Sequence, residues 1–197
     1  MSLLPDQHIR TLLNDRTVGI AGCGGLGSNC AVALARVGIG KLVIADFDRV
    51  ELSNLNRQYY FSDQVGKPKV AALKEIIYMI DPFIQVQVHE TVLNPENIPW
   101  IFKDCDVIVE AFDKAEMKQM IIETVTENMV GWPLVCGVGL AGWGHSRELG
   151  VKEFHDVYIC GDQSREVTPE YPPLAPRVGI VANMQANQVL EILLGKM

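Results

Sequence analysis

Seven residues, Gly22-Cys23-Gly24-Gly25-Leu26-Gly27-Ser28, follow the apolar run Val18 to Ala21 and lead into a helical pattern. Such a turn can wrap a phosphate. Residues without a Cβ let the backbone approach an anion closely, and the helix that follows aims its free N–H groups and positive dipole end at it. Asp46, at the end of the second apolar run, adds the carboxylate that a dinucleotide site offers to ribose hydroxyls. The chain then goes further, with Asp48, Arg57, Gln58, Lys69 and Asp113. Lys69 follows Pro68, which marks a helix start, where the macrodipole disfavours a cation by a few tenths to about 1 kcal/mol. Lys67 shares that cost. A local rule broken there often marks function, so Lys69 reads either as a triphosphate contact or as a solvated charge. Arg57 lies in a long polar loop among Asn54, Asn56 and Gln58, where its fork of donors can grip a phosphate at two points or simply face solvent. Asp113 ends the fourth apolar run. It can cap the next helix, with Glu116 three residues on, or ligate Mg²⁺ from the carboxyl end of a strand.

The apolar runs Val18-Ala21, Leu42-Ala45, Ile84-Val88, Val107-Val109 and Leu134-Val138 predict buried strands separated by helices. That pattern implies an α/β fold, Rossmann-like and doubly wound around a mostly parallel sheet. Val151-Phe154 and Val157-Ile159 predict antiparallel strands at the C-terminal edge, turning near His155-Asp156. A helix is expected from about Pro68 to Ile80, and a final C-terminal helix places Ala182, Ala186, Val189 and Leu193 on one stripe before Gly195. Asn94-Pro95-Glu96 reads as a cap and a first-turn proline. Two segments depart from this rhythm. Residues 48–66 form a connection longer than such a link needs, and residues 161–176, with Pro169, Pro172, Pro173 and Pro176, predict an extended crossing loop.

With 197 residues and 48% apolar content, a single domain with one substantial core is expected, residues 1–15 serving as lead-in. A formal net charge of -7 argues against a general nucleic-acid or anionic-membrane binder. The apolar runs are too short to span a membrane and the N-terminus lacks a secretory layout, so a cytoplasmic protein is expected. Five cysteines without a C-x-x-C pair argue against disulfides or a four-cysteine zinc site, and Cys23, Cys30, Cys105 and Cys136 read as buried thiols, with Cys160 left open. His145 and Trp143 sit after the fifth strand, where ligands often bind, with no role that the sequence assigns.

The ordered set Gly-x-Gly-Gly-x-Gly-Ser, Asp46-Phe47-Asp48, Ser53-Asn54-Leu55-Asn56-Arg57-Gln58, Gly66-Lys67-Pro68-Lys69 and Asp113 resembles ThiF/MoeB-type members of the ubiquitin-activating superfamily. The resemblance covers roughly residues 15 to 140, with a looser match at Ala175-Pro176-Arg177 and the final helix. The short lead-in and missing zinc cysteines are most similar to the compact ThiF-like branch linked to thiamine biosynthesis.

The resemblance implies a homodimer that uses ATP and Mg²⁺ to adenylate the C-terminal glycine of a small β-grasp, ThiS-like sulfur carrier protein, releasing pyrophosphate. It places Asp46 on the ribose, Arg57 and Lys69 on the phosphates, and Asp113 on the metal. Gly22, Gly24, Gly25, Gly27 and Ser28 line the nucleotide, Asn54 and Gln58 help hold the triphosphate, and Asp48 supports the site. It further implies an arginine reaching across the dimer, with Arg10 the better candidate and Arg16 the runner-up, each equally readable as a surface charge. Cys160 is the nearest match to a thiol that bonds to the activated carrier. No structural zinc is expected. A MoaD-type carrier would present similar chemistry. The competing readings are an NAD-dependent oxidoreductase, for which Gly22, Gly24, Gly27 and Asp46 suffice, and a non-catalytic carrier-binding homologue. Neither accounts for a full charged set around one phosphate chain.

Overall fold

The computed structural model describes residues 5–162 and 164–195. Five parallel strands follow the expected runs: β1 (Thr17–Ala21), β2 (Lys41–Asp46), β3 (Gln85–Glu90), β4 (Val107–Glu110) and β5 (Leu134–Gly137). They join β6 (Gly150–Phe154) and β7 (Val157–Gly161) in a seven-stranded sheet of order β3-β2-β1-β4-β5-β7-β6. β7 runs parallel to β5, and β6 closes the edge antiparallel to β7, as the turn at His155-Asp156 predicts. The helices are α1 (Pro5–Leu13), α2 (Gly25–Val37), α3 (Lys69–Ile80), α4 (Ile98–Phe102), α5 (Ala115–Asn128) and α6 (Ala175–Leu194).

Successive strand residues alternate between two cores, which is why the strands read as continuous apolar runs. Val18, Ile20, Leu42, Ile44, Val107, Val109 and Val135 face the cluster built with α2, α3 and α6. Val43, Ala45, Ile108, Leu134 and Cys136 face the other, which holds Phe102 of α4 and Ile121 and Val125 of α5. Strand order reverses between β1 and β4, so the crevice beyond their carboxyl ends is where a doubly wound sheet binds ligands. No described helix is long and apolar enough to cross a membrane.

Three boundaries differ from expectation. The crossing segment stops at Leu174, because Pro176 lies inside the first turn of α6, where its missing N–H costs nothing. Asn94 does cap its turn, its Oδ1 accepting from the N–H groups of Glu96 and Asn97, but the α-helix proper begins at Ile98. The lead-in contains α1, residues 1–4 lying outside those described.

Packing at the first crossover is tight. A Cβ on Gly27 would overlap the Gly22 carbonyl oxygen, and Gly22 itself holds φ +97°. Gly179 on α6 has nothing within 4 Å of where a Cβ would stand. Gly27→Ala should therefore lower stability by more than about 2 kcal/mol, whereas Gly179→Ala should raise it by about 0.5–1 kcal/mol. Urea unfolding of both variants checks the pair, and equal effects would contradict this packing.

Candidate functional site

β1 ends at Ala21 and the chain turns through Gly22, whose N–H donates to the Ala45 carbonyl at 2.9 Å. Asp46, one residue beyond, ties the two segments together. Its Oδ2 accepts the Cys23 N–H at 2.6 Å and its Oδ1 accepts the Asp48 N–H at 2.7 Å. Burial pushes the Asp46 carboxyl above its ordinary value, although both backbone bonds and the Lys69 ammonium oppose the rise.

The long connection after β2 folds back on itself. Val50 donates to the Lys67 carbonyl and Gly66 to the Val50 carbonyl, and short 3₁₀ turns form at Leu52–Asn54 and Ser62–Gln64. This return brings α3 to Asp48: the Lys69 N–H donates to the Asp48 carbonyl at 2.9 Å, and Lys69 Nζ meets Asp48 Oδ2 at 2.7 Å. The Lys69 side chain is only 7% exposed, an ammonium largely stripped of water at the N-terminus of its own helix. Its unfavourable place against the helix dipole is thus offset by a carboxylate 21 residues earlier.

Three side chains fasten the loop over the glycine turn. Ser28 Oγ donates to the Gly24 carbonyl at 2.6 Å and accepts the Tyr59 N–H at 2.9 Å. Asn29 Nδ2 donates to the carbonyls of Gly25 and Arg57, and the Tyr60 hydroxyl donates to the Cys23 carbonyl at 2.7 Å. Ser28 is fully buried, so its expected role as nucleotide lining gives way to that of a strut. Asn54 likewise serves its own turn, accepting the Glu51 N–H and fixing the backbone that carries Arg57 and Gln58.

The loop's free polar groups then point at the turn. The Arg57 stem passes 3.8 Å from where a Gly25 Cβ would stand, and Arg57 Nη1 is held by Asn56 Oδ1 and the Ser53 carbonyl. Its other donors have no partner among the described residues. Gln58 Nε2 is the one atom within 4 Å of where a Gly24 Cβ would stand, and Gln58 Oε1 is buried without a hydrogen-bond partner. An open glycine beside a half-spent guanidinium fits a polyanionic ligand, while the unpartnered Gln58 oxygen, an acceptor, suits a donor on that ligand.

Asp113 lies just past β4, whose continuation Ala111-Phe112 packs against Gly22. The helix cap expected of it does not form. The chain is still extended at Lys114, so α5 begins at Ala115 with no side-chain cap, and Asp113 stands exposed without a hydrogen bond among the described residues. Two groups that sequence reading missed hold this corner. Glu110 is fully buried, paired with Lys118 Nζ at 2.9 and 3.0 Å, and accepts the Phe112 N–H at 2.7 Å. A glutamate closing the apolar run Val107-Ile108-Val109 was the available signal.

The structure thus brings Gly22, Gly24, Gly25, Asp46, Asp48, Arg57, Gln58, Lys69 and the end of β4 to one crevice. Arg10 and Arg16 lie elsewhere. Arg10 Nη2 donates to the Arg36 carbonyl at the far end of α2, about 20 Å from the turn by helix rise, and Arg16 pairs with Asp106 at the amino end of β1. Cys160 is enclosed in the core on β7, and burial pushes its thiol up to about 12. The thiolate is the nucleophilic form, and this environment disfavours it.

A second polar hub, also unforeseen, links α6 to the loops beyond β5 and β7. Arg177, 2% exposed, donates through Nε to the Gly139 carbonyl, through Nη1 to the Gly144 carbonyl at 2.7 Å, and through Nη2 to Asp162. Asp162 also accepts the N–H groups of Ser164 and Arg165.

Fold and crevice together define a doubly wound α/β domain with a cation-lined glycine turn. The chain belongs to the ThiF family, whose model matches residues 2–197. It is 33% identical over 201 residues to the adenylyltransferase and sulfurtransferase uba4 of Emericella nidulans, covering 92% of this chain and 40% of that protein. It is 29% identical over 189 residues to the molybdopterin-synthase adenylyltransferase of Escherichia coli, covering 93% and 75%. Among solved structures, E. coli tRNA N6-threonylcarbamoyladenosine dehydratase in complex with AMP superposes with a TM-score of 0.85 at 23% identity, over 95% of this chain and 89% of that one. The chain thus spans less than half the length of the uba4 protein and three quarters of the bacterial adenylyltransferase.

Burial raises the Asp162 carboxyl, but the two backbone N–H groups and the guanidiniums of Arg177 and Arg165 outweigh it and hold the group below its ordinary value. A depressed carboxylate stabilises the fold above the unfolded-state pKa near 4 and loses that contribution as pH falls through the lower folded value. The stability gap between the wild type and Asp162→Asn should therefore be widest near about pH 6 and shrink toward about pH 3. Urea unfolding across that range checks it, and a gap that widened on acidification would contradict the pairing.

Proposed function

We propose that this chain adenylates the C-terminal carboxylate of a ThiS-like ubiquitin-fold sulfur carrier protein, using ATP and releasing pyrophosphate. The observation that carries the reading is the nearly buried Lys69 ammonium, fixed by Asp48 beside the glycine turn that Arg57 also overhangs. A carboxylate attacking a triphosphate brings two anions together, so cations must screen them and hold a near-attack geometry. One carrier carboxylate oxygen bonds to the α-phosphorus, the bond from that phosphorus to the β-bridging oxygen breaks, and pyrophosphate leaves with the electron pair. The carrier then bears an acyl-adenylate. No side-chain nucleophile is required, in keeping with the enclosure of Cys160.

In this reading Asp46 retains lone pairs for ribose hydroxyls, Gln58 sets its Nε2 donor beside Gly24, and Arg57 and Lys69 contact the phosphates. Asp113, exposed and without a hydrogen bond among the described residues, would hold Mg²⁺. Magnesium typically takes one or two carboxylates and completes its shell with phosphates and water. When bound it would neutralise charge on the phosphates. A nicotinamide enzyme has no use for Lys69 and Arg57 at one turn.

The similarity to an adenylyltransferase and sulfurtransferase and to a molybdopterin-synthase adenylyltransferase supports this activity. A MoaD-type carrier is the second reading, favoured by the match to the molybdopterin-synthase adenylyltransferase over 75% of its length. We further propose a homodimer, in which Arg10 could serve only a second copy's crevice, given its distance from its own.

Carrier-dependent exchange of labelled pyrophosphate into ATP tests the reading. Lys69→Ala and Asp113→Ala should each cut exchange by about 10²-fold or more with the fold retained by circular dichroism. Wild-type rates in both folded variants would overturn it.

A further inference from the structure

Cys23, inside the glycine turn, is gripped on both sides. Its N–H donates to Asp46 Oδ2 at 2.6 Å, and its carbonyl accepts from the Tyr60 hydroxyl at 2.7 Å. Tyr60 is only 5% exposed, and its phenol is the one hydrogen-bond donor to that carbonyl among the described residues. Burial pushes the phenol above its ordinary value, and neighbouring Cys23, Asp46 and Asp48 add to the rise, so it keeps the proton it donates. The same oxygen stands 3.4 Å from the Lys69 carbonyl, which takes a weaker share of that single proton. The Tyr60 N–H returns to the Gln58 carbonyl at 2.9 Å. One residue therefore joins the turn, the loop that carries Arg57 and the first residue of α3.

Holding the Cys23 carbonyl also aims the next N–H. The peptide unit from Cys23 to Gly24 is planar and trans, so the Gly24 N–H points opposite to the carbonyl, away from the buried phenol. That N–H has no acceptor among the described residues. The space beside it is open, since Gln58 Nε2, at 3.8 Å, is the one atom within 4 Å of where a Gly24 Cβ would stand. The following peptide unit is fixed differently: Ser28 holds the Gly24 carbonyl through both its Oγ and its N–H, as the start of α2. The unit before it ends on a glycine, whose backbone turns at little cost, so its direction needs an outside tether. Tyr60 is that tether.

We infer that Tyr60 is a positioning residue for the phosphates of the nucleotide: its hydroxyl aims the Gly24 N–H into the crevice and holds that donor in register with the Lys69 ammonium. The inference rests on the adenylation reading and deepens it, adding a backbone donor to the two cations. A phosphate oxygen that meets a preset N–H gains a charge-assisted bond, whereas a donor free to turn away must first be ordered. Phenylalanine at 60 would keep the ring and its packing and remove only the O–H.

Two measurements on the full chain separate this inference from the reading beneath it. The first needs no carrier: nuclear magnetic resonance of the chain with isotopically labelled glycine, titrated with Mg²⁺ and α,β-methylene-ATP. The wild-type Gly24 amide proton should move downfield as a phosphate oxygen accepts it. In Tyr60→Phe that movement should shrink and the Kd of the analogue should rise about tenfold, while the Kd of adenosine stays within about twofold. Replacing Tyr60 by para-aminophenylalanine returns an N–H donor to the same ring position and should restore the Kd to within about threefold of wild type. The second is pyrophosphate exchange with a recombinant ThiS-type carrier, in which Tyr60→Phe should raise the KM for ATP about tenfold and leave that for the carrier within about twofold. An unmoved Gly24 amide in the wild type, a result that needs no variant to fold, would overturn the inference. So would a Tyr60→Phe chain that binds both ligands as the wild type does, or that loses affinity for both equally. A Gly24 shift that depends on Tyr60, in a protein whose wild type shows no carrier-dependent exchange, would uphold the positioning role and sink the adenylation reading instead.

Discussion

The site depends on one circuit of charge and hydrogen bonds: a desolvated ammonium at Lys69, held by Asp48, whose own N–H is held by Asp46, which also grips the Cys23 N–H inside the glycine turn. Each link spans a different element, so strand ends, turn, loop and helix start share one geometry. A charge withdrawn from water is costly unless paired, and for the same reason its field acts on a nearby anion with little screening. The circuit therefore fixes the crevice around the glycine turn. Its geometry demands glycine at 27, because the turn and α2 approach too closely for a side chain.

The fold delivers this circuit to the right place. Reversal of strand order between β1 and β4 opens the crevice at their carboxyl ends, and the return of the long connection onto Val50 and Lys67 carries α3 to its rim. α6 crosses the same face and sets Val178 against Gly25, so the C-terminal helix and the loops that Arg177 commands border the turn. The antiparallel pair β6 and β7 extends the sheet on this side and ends in Asp162, where the second hub begins.

Much of this was legible in the residues. The apolar runs report strands buried on both faces, the glycine turn and Asp46 are signals local in sequence, and Lys69 stands out because it breaks a helix-end rule. What stayed hidden is long in range. The pairing of Lys69 with Asp48 is decided by how residues 49–68 fold back, which no pattern encodes. Tyr60 and Asn29 look like ordinary loop and helix polars until their backbone partners are known. Arg177 enters the sequence reading only through the looser match at Ala175-Pro176-Arg177, and it is 2% exposed because Asp162 and two carbonyls replace its water. Asp113 misled in the opposite sense: the spacing to Glu116 suggests a cap, but one extended residue, Lys114, moves the helix start out of its reach. Cys160 could be core or reagent by sequence, and its place between β5 and β6 decides for core.

The most direct test is a crystal structure of the chain with Mg²⁺ and an ATP analogue that resists cleavage between the α- and β-phosphates. The account predicts the triphosphate along the glycine turn, with the Lys69 ammonium and an Arg57 nitrogen within hydrogen-bonding distance of phosphate oxygens and the Asp113 carboxylate on the metal. A nucleotide bound with its phosphates away from these three side chains would contradict it.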